Sequence, residues 1–103
     1  IYFVAAGDSN LYAQALRIAE TLRASLPSLK LVLHVGGGSF KSQIKKADKS
    51  GANYALILGS DELDTQTILL KPLRQEYGAG QEVIAINNLP ARINTLLENQ
   101  YKA

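Results

Sequence analysis

The sequence predicts an α/β domain in which a largely parallel sheet carries helices on both faces and one late strand runs antiparallel. Three observations predict it. Strand-like apolar runs alternate with helical periods along the front of the chain, the pattern that builds parallel sheets. Residues 54–58 (Tyr-Ala-Leu-Ile-Leu) form a continuous apolar run of the kind covered on both sides. Residues 75–80, with two glycines, join two further strand-like runs as a hairpin connection does.

The elements follow in order. Residues 2–6 are strand formers closed by Gly7-Asp8-Ser9, and Asp8 or Ser9 can cap a helix by accepting from its orphan N–H groups. Leu11, Ala15, Ile18, Ala19, Leu22 and Leu26 recur at helical spacing, which buries one face. Pro27 ends that helix. A strand is expected over 29–35, broken by Gly36-Gly37-Gly38. A second helix begins at Ser39, turns Phe40, Ile44 and Ala47 inward, and stops near Gly51. After the 54–58 strand, residues 59–64 suit a turn or a single helical turn. Strands at 67–71 and 82–86 follow. The last helix starts near Asn88 with Pro90 in its first turn and faces Ile93, Leu96 and Leu97 inward.

Composition bounds the function. The 103 residues suit one domain, 1–103, with a core that needs no staples. There is no cysteine, hence no disulfide or thiolate site. No apolar run approaches the roughly 20 residues that span a bilayer, and no secretory signal is expected. The absence of methionine leads us to expect a fragment of a longer protein. A net charge of +2 does not mark a nucleic-acid binder, so the placement of charge must decide.

Charge is concentrated in one place. Glycines between a strand and a helix let backbone approach a ligand, and a helix N-terminus offers N–H groups and partial positive charge to an anion. On a helical wheel Lys41, Lys45 and Lys49 form a row away from Phe40, Ile44 and Ala47, and Lys46 adds to the outer surface. These four lysines, against Asp48 alone, form a candidate footprint for RNA. A solvated face is the competing reading. The glycine triplet matches neither a dinucleotide fingerprint nor a P-loop ending.

Lys71-Pro72-Leu73-Arg74 offers two cations at a strand end, or else protects an edge strand. Tyr77, in the glycine-containing connection, is a candidate to stack on unpaired bases; Phe3 and Tyr54 are expected in the core. Asp61, Glu62 and Asp64 are expected to solvate a turn or favour a helix start. His34, the only histidine, is expected to be structural. No nucleophile has an evident base partner, and no residues show metal-ligand spacing.

The segments 36–43 (Gly-Gly-Gly-Ser-Phe-Lys-Ser-Gln) and 46–52 (Lys-Ala-Asp-Lys-Ser-Gly-Ala) closely resemble the C-terminal domain of bacterial histidyl-tRNA synthetases. So do residues 55–59 and Lys71-Pro72-Leu73-Arg74 at their spacing. Related domains occur in the threonyl, prolyl and glycyl enzymes. The resemblance covers nearly the whole chain. It implies a three-layer α/β/α anticodon-binding-domain fold, with a mixed five-stranded sheet whose fourth strand is antiparallel. It implies recognition of the tRNA(His) anticodon stem-loop by a chain with no catalytic residue, cofactor or metal of its own. The implied parent is a cytoplasmic, homodimeric histidine–tRNA ligase, whose separate catalytic domain uses ATP and Mg²⁺. The resemblance and the charge pattern together make Gly36, Gly37, Gly38, Ser39, Lys41, Gln43, Lys45, Lys46, Lys71, Arg74 and Tyr77 the candidate RNA-binding residues. Phosphates would meet Lys41, Lys45, Lys46 and the glycine amides; bases would meet Lys71, Arg74 and Tyr77. Three alternatives stand beside this reading: a flavodoxin-like phosphate or nucleotide module, a scaffold domain, and a regulatory synthetase-like protein.

Overall fold

The computed structural model describes residues 1–7, 9–27, 29–34, 39–74 and 80–102, with side chains to 98 in the last helix. Its elements are β1 (Tyr2–Ala5), α1 (Ser9–Ser25), β2 (Val32–Leu33), α2 (Phe40–Lys49), β3 (Tyr54–Leu58), α3 (Ser60–Asp64), β4 (Thr67–Pro72), β5 (Glu82–Ala85) and α4 (Leu89–Lys102). A 3-10 turn, Ile86–Asn88, leads from β5 into α4. The five strands make one sheet in the order β2-β1-β3-β4-β5. β1 pairs parallel with β2 and β3, whereas β4 runs antiparallel to both β3 and β5. The mixed sheet and its antiparallel fourth strand are as expected.

Strand alternation sorts the core into two layers. Phe3 and Ala5 of β1, Tyr54, Leu56 and Leu58 of β3, Ile68 and Leu70 of β4, and Ile84 of β5 pack on one side. There they meet Leu11, Ala15, Ile18, Ala19 and Leu22 of α1 and Leu89, Ile93 and Leu96 of α4. Tyr2, Val4 and Ile57 point the other way, against Ala47 of α2, with Phe40 and Ile44 packed alongside. Every apolar position expected inward on α1 through Leu22 is buried. β1 and β3 are buried along their whole length because helices cover both of their faces.

Three details differ from expectation. β2 is shorter than residues 29–35. Leu29 N–H donates to Leu26 C=O in the turn after α1, and the Leu31 C=O is taken by Arg23. Its contact with β1 is extended by the Ile1 ammonium to Lys30 C=O, Val32 N–H to Ile1 C=O and His34 N–H to Phe3 C=O bonds; Val35 lies outside the described residues. β4 is an interior strand, but its end is one-sided: Lys71 and Pro72 pair with β3 alone. Leu73 N–H donates to Asn53 C=O at 2.8 Å, which turns the Pro72 nitrogen away from β3. The ladder to β5 has ended at Leu70, so the missing N–H falls where β5 asks for none. Finally, β5 stops at Ala85 rather than at residue 86, because Ile86 opens the 3-10 turn. Of the two capping residues considered for α1, Asp8 lies outside the described residues and Ser9 is the first helical residue. The hairpin connection at 75–79 is also outside them.

β5 is tied to α4 by a bidentate pair, with Arg92 Nε and Nη2 donating to Glu82 Oε2 and Oε1 at 2.7 and 2.9 Å. Hydrogen bonding from Arg92 holds the Glu82 carboxyl below its ordinary value. A depressed carboxyl pKa stabilises above the unfolded value and loses that contribution as pH falls through the folded one. The pair is partly exposed, so Glu82→Gln should cost no more than about 1 kcal/mol near neutrality. Urea unfolding of both proteins should show the gap closing in acid, below about pH 4; a gap unchanged there would show that the pair contributes no charge-dependent stability.

Candidate nucleic-acid interface

α2 begins where the sequence placed its start. Ser39 is its N-cap, with extended backbone (φ −72°, ψ 160°) and a hydroxyl oxygen that accepts from Ser42 N–H. That oxygen is committed to the cap, and the hydroxyl hydrogen is what Ser39 can offer a ligand. The first turn is anchored at Gly59, where an added Cβ would stand 2.9 Å from Phe40 Cζ. Glycine there lets the Phe40 ring lie against the end of β3.

Lys41, Lys45, Lys46 and Lys49 are all exposed. Among the described residues none of the four is ion-paired, since the salt bridges are Arg74–Asp48 and Arg92–Glu82. Asp48, the acid within the stripe, is occupied elsewhere. Arg74 Nη1 donates to its Oδ1 at 2.8 Å and Nη2 to its C=O at 3.0 Å. The lysine face therefore keeps its positive charge, and Lys46 and Lys49 also complement the C-terminal end of the helix dipole.

The structure does not bring all the candidate residues together. The N-terminal end of α2 lies beside Gly59, at the C-terminal edge of β3. Its C-terminal end lies beside Arg74, and the neighbouring Leu73 bonds to Asn53, just before β3. Ten residues of helix span about 15 Å. Ser39 and Lys41 thus sit at one edge of the sheet and Arg74 at the other, with Lys45 between. Arg74 is held by Asp48 and serves first as a tie between β4 and α2. Gly36, Gly37, Gly38 and Tyr77 lie outside the described residues. Gln43 is corrected: it is wholly buried, its amide bonded to the Ala5 backbone, and it presents nothing to a ligand on the surface.

Sequence reasoning missed a second surface. On the α1/α4 side, Ile68, Leu70 and Ile84 are buried. On the opposite face Leu69 packs at the border of the α2 layer, and beyond it β5 is left open among the described residues. There Leu69 pairs with Val83 and Thr67 with Ala85. Val83 is 65% exposed, Ala85 is exposed, and Thr67, Leu69 and Lys71 are half-buried. Helical periodicity puts Lys41, Lys45 and Asp48 in one row. Because Asp48 meets Arg74 just after β4, that row borders the open floor. The signal available in the sequence was the alternation of β5, which turns Val83 away from Ile84. What it could not show is that, among the described residues, no third helix covers that side.

The remaining sequence candidates are structural. His34 is buried and shares a 2.8 Å hydrogen bond with the Tyr2 hydroxyl through Nδ1. Asp61 and Glu62 occupy the first turn of α3, where negative charge suits the helix dipole. Phe3 and Tyr54 are in the core. Among the described residues, no three metal-ligating side chains are gathered, and no helix is long and apolar enough to cross a membrane. The larger concave site, of about 390 Å³, is lined by residues including Tyr2, Lys30, Asn53 and Leu97. A second, of about 330 Å³, lies between α1 and the start of α4. Neither of these two is lined by a lysine of α2, and all four lysines are exposed. An exposed row of cations suits a polymer better than a small molecule, which is held in a concave pocket.

A mixed α/β sheet bordered by an unpaired lysine row and an open floor has the make-up of a domain that holds a polyanion. The chain belongs to the anticodon binding domain family, whose model matches residues 1–96. Among solved structures, a histidyl-tRNA synthetase from Nostoc sp. PCC 7120 superposes with a TM-score of 0.78 at 26% identity, over 93% of this chain and 22% of that one. The apo histidyl-tRNA synthetase of S. aureus gives 0.74 at 24% identity, over 88% of this chain and 25% of that one. The RNA binding domain of threonyl-tRNA synthetase from Cryptosporidium parvum Iowa II gives 0.76 at 14% identity, over 91% and 22%. The last two show a shared fold. This chain spans a quarter or less of the length of the chains it matches.

Proposed function

We propose that this domain binds the anticodon stem-loop of the histidine tRNA and serves a histidine–tRNA ligase. The observation that carries the reading is the unpaired row Lys41–Lys45 beside the open face of β4 and β5, in a member of the anticodon binding domain family. Phosphates meet Lys41, Lys45 and Lys46 and set the position of the RNA; bases laid on Leu69 and Val83 supply preference. Lys71 stands on the same face as Leu69 and extends the floor toward the far edge. The parent is a cytoplasmic homodimer whose catalytic domain joins histidine to tRNA, with ATP and Mg²⁺ bound there rather than here.

The test is a binding isotherm of the histidine anticodon stem-loop across a salt series, with stem-loops of other anticodons as competitors. Affinity should fall linearly with log salt concentration, and Lys41→Ala and Lys45→Ala should each reduce the slope by about 0.7. The histidine stem-loop should outcompete the others. Binding that ignores salt and both substitutions removes the phosphate mechanism. Equal affinity for every anticodon removes the assignment to histidine.

A further inference from the structure

Gln43 departs furthest from its expected role, and its geometry is specific. It lies on α2 directly opposite Lys41, with none of its surface exposed. Ala5 N–H donates to its Oε1 at 3.1 Å, and its Nε2 donates to the Ala5 C=O at 2.9 Å. Both polar groups of one strand residue are thus met by one side-chain amide. On the outer edge of β1, the last bond from the β2 side among the described residues is His34 N–H to Phe3 C=O. Ala5 is the next residue on that edge with outward polar groups. The Gln43 amide therefore stands where the peptide group of a longer β2 would pair.

Two hydrogen bonds from mid-helix to a rigid buried strand fix both the rotation of α2 about its axis and its height on the sheet. The end anchors, Phe40 against Gly59 and Arg74 on Asp48, hold the tips. Because Gln43 and Lys41 lie on opposite faces, any rotation there swings the lysine row across the open floor. We propose that Gln43 is a positioning residue for RNA binding: its bonds to Ala5 aim Lys41 and Lys45 at the RNA without touching it. This rests on the anticodon reading above.

Gln43→Glu tests it with a built-in rescue. A protonated carboxyl can accept from Ala5 N–H and donate to Ala5 C=O as the amide does. An ionised one has no proton to give and sets an oxygen against the Ala5 carbonyl. Stem-loop affinity and salt slope are measured for the whole chain at about pH 5 and about pH 8 at fixed ionic strength, with circular dichroism reporting the folded fraction. The variant should bind within about twofold of wild type at the lower pH. At the higher pH it should bind about tenfold more weakly, with a shallower salt slope, relative to wild type at the same pH. Gln43→Met, which keeps the length without the hydrogen bonds, should be about tenfold weaker at both. It decides the matter if the glutamate variant does not fold at the higher pH.

A folded Gln43→Glu or Gln43→Met protein that matches wild type in affinity and slope at both pH values overturns the positioning role and leaves the anticodon reading intact. A wild-type domain that does not bind the stem-loop at all sinks both.

Discussion

Reversing two charges, with Lys41→Glu and Lys45→Glu together, is expected to weaken anticodon stem-loop binding about fiftyfold at low salt. A lysine at ~7 Å from a phosphate in water contributes about 0.6 kcal/mol. Exchanging attraction for repulsion doubles that to about 1.2 kcal/mol per position, somewhat under a tenfold loss each. The two effects add if the lysines meet separate phosphates. The loss should shrink as salt rises, because exposed charges are screened within about 8–10 Å at ordinary ionic strength. Stability should change little, since both side chains are exposed and carry no ion pair among the described residues. The control is the same reversal at Lys30, which is exposed but lies before β2, away from the open floor. Fluorescence anisotropy decides between them: equal losses at both places would mean that net charge, rather than the α2 row, governs binding.

The fold was legible because its signals are local. The β3 strand, the inward face of α1, the start of α4 at Pro90 and the sense of β4 all follow from periodicity and punctuation within short windows. Where the reading missed, the deciding partner lay far along the chain. Lys71-Pro72 suits an edge strand on its own, and only the ladder to β5, which ends at Leu70, makes the earlier part of β4 interior. Gln43 sits among lysines and a serine, so it looked exposed. Its burial shows in the wheel, 200° from Lys41 and close to Ala47, once one accepts that a buried amide needs partners. Likewise the basic row was plain, while the floor beside it depended on knowing that the α2 layer reaches Leu69 but leaves Val83 exposed.

Phe3→Ala should do the opposite of the lysine reversals, taking stability and leaving affinity. Phe3 is wholly buried in the middle of β1 and faces the α1/α4 side. Its removal deletes a large apolar side chain and leaves a cavity between the sheet and helices, a change that costs about 3–5 kcal/mol. A domain of this size typically has about 5–15 kcal/mol in all, so the variant should unfold at a markedly lower urea concentration or lie partly unfolded. Yet Phe3 points away from α2, whose packing rests on Tyr2, Val4 and Ile57. The molecules that remain folded should hold Lys41 and Lys45 as before. Affinity corrected for the folded fraction should equal that of wild type, and stem-loop at about a hundred times its dissociation constant should return about 2.7 kcal/mol of stability. If corrected affinity falls along with stability, the two layers are coupled through the sheet, and the lysine row is not an independent surface resting on β1.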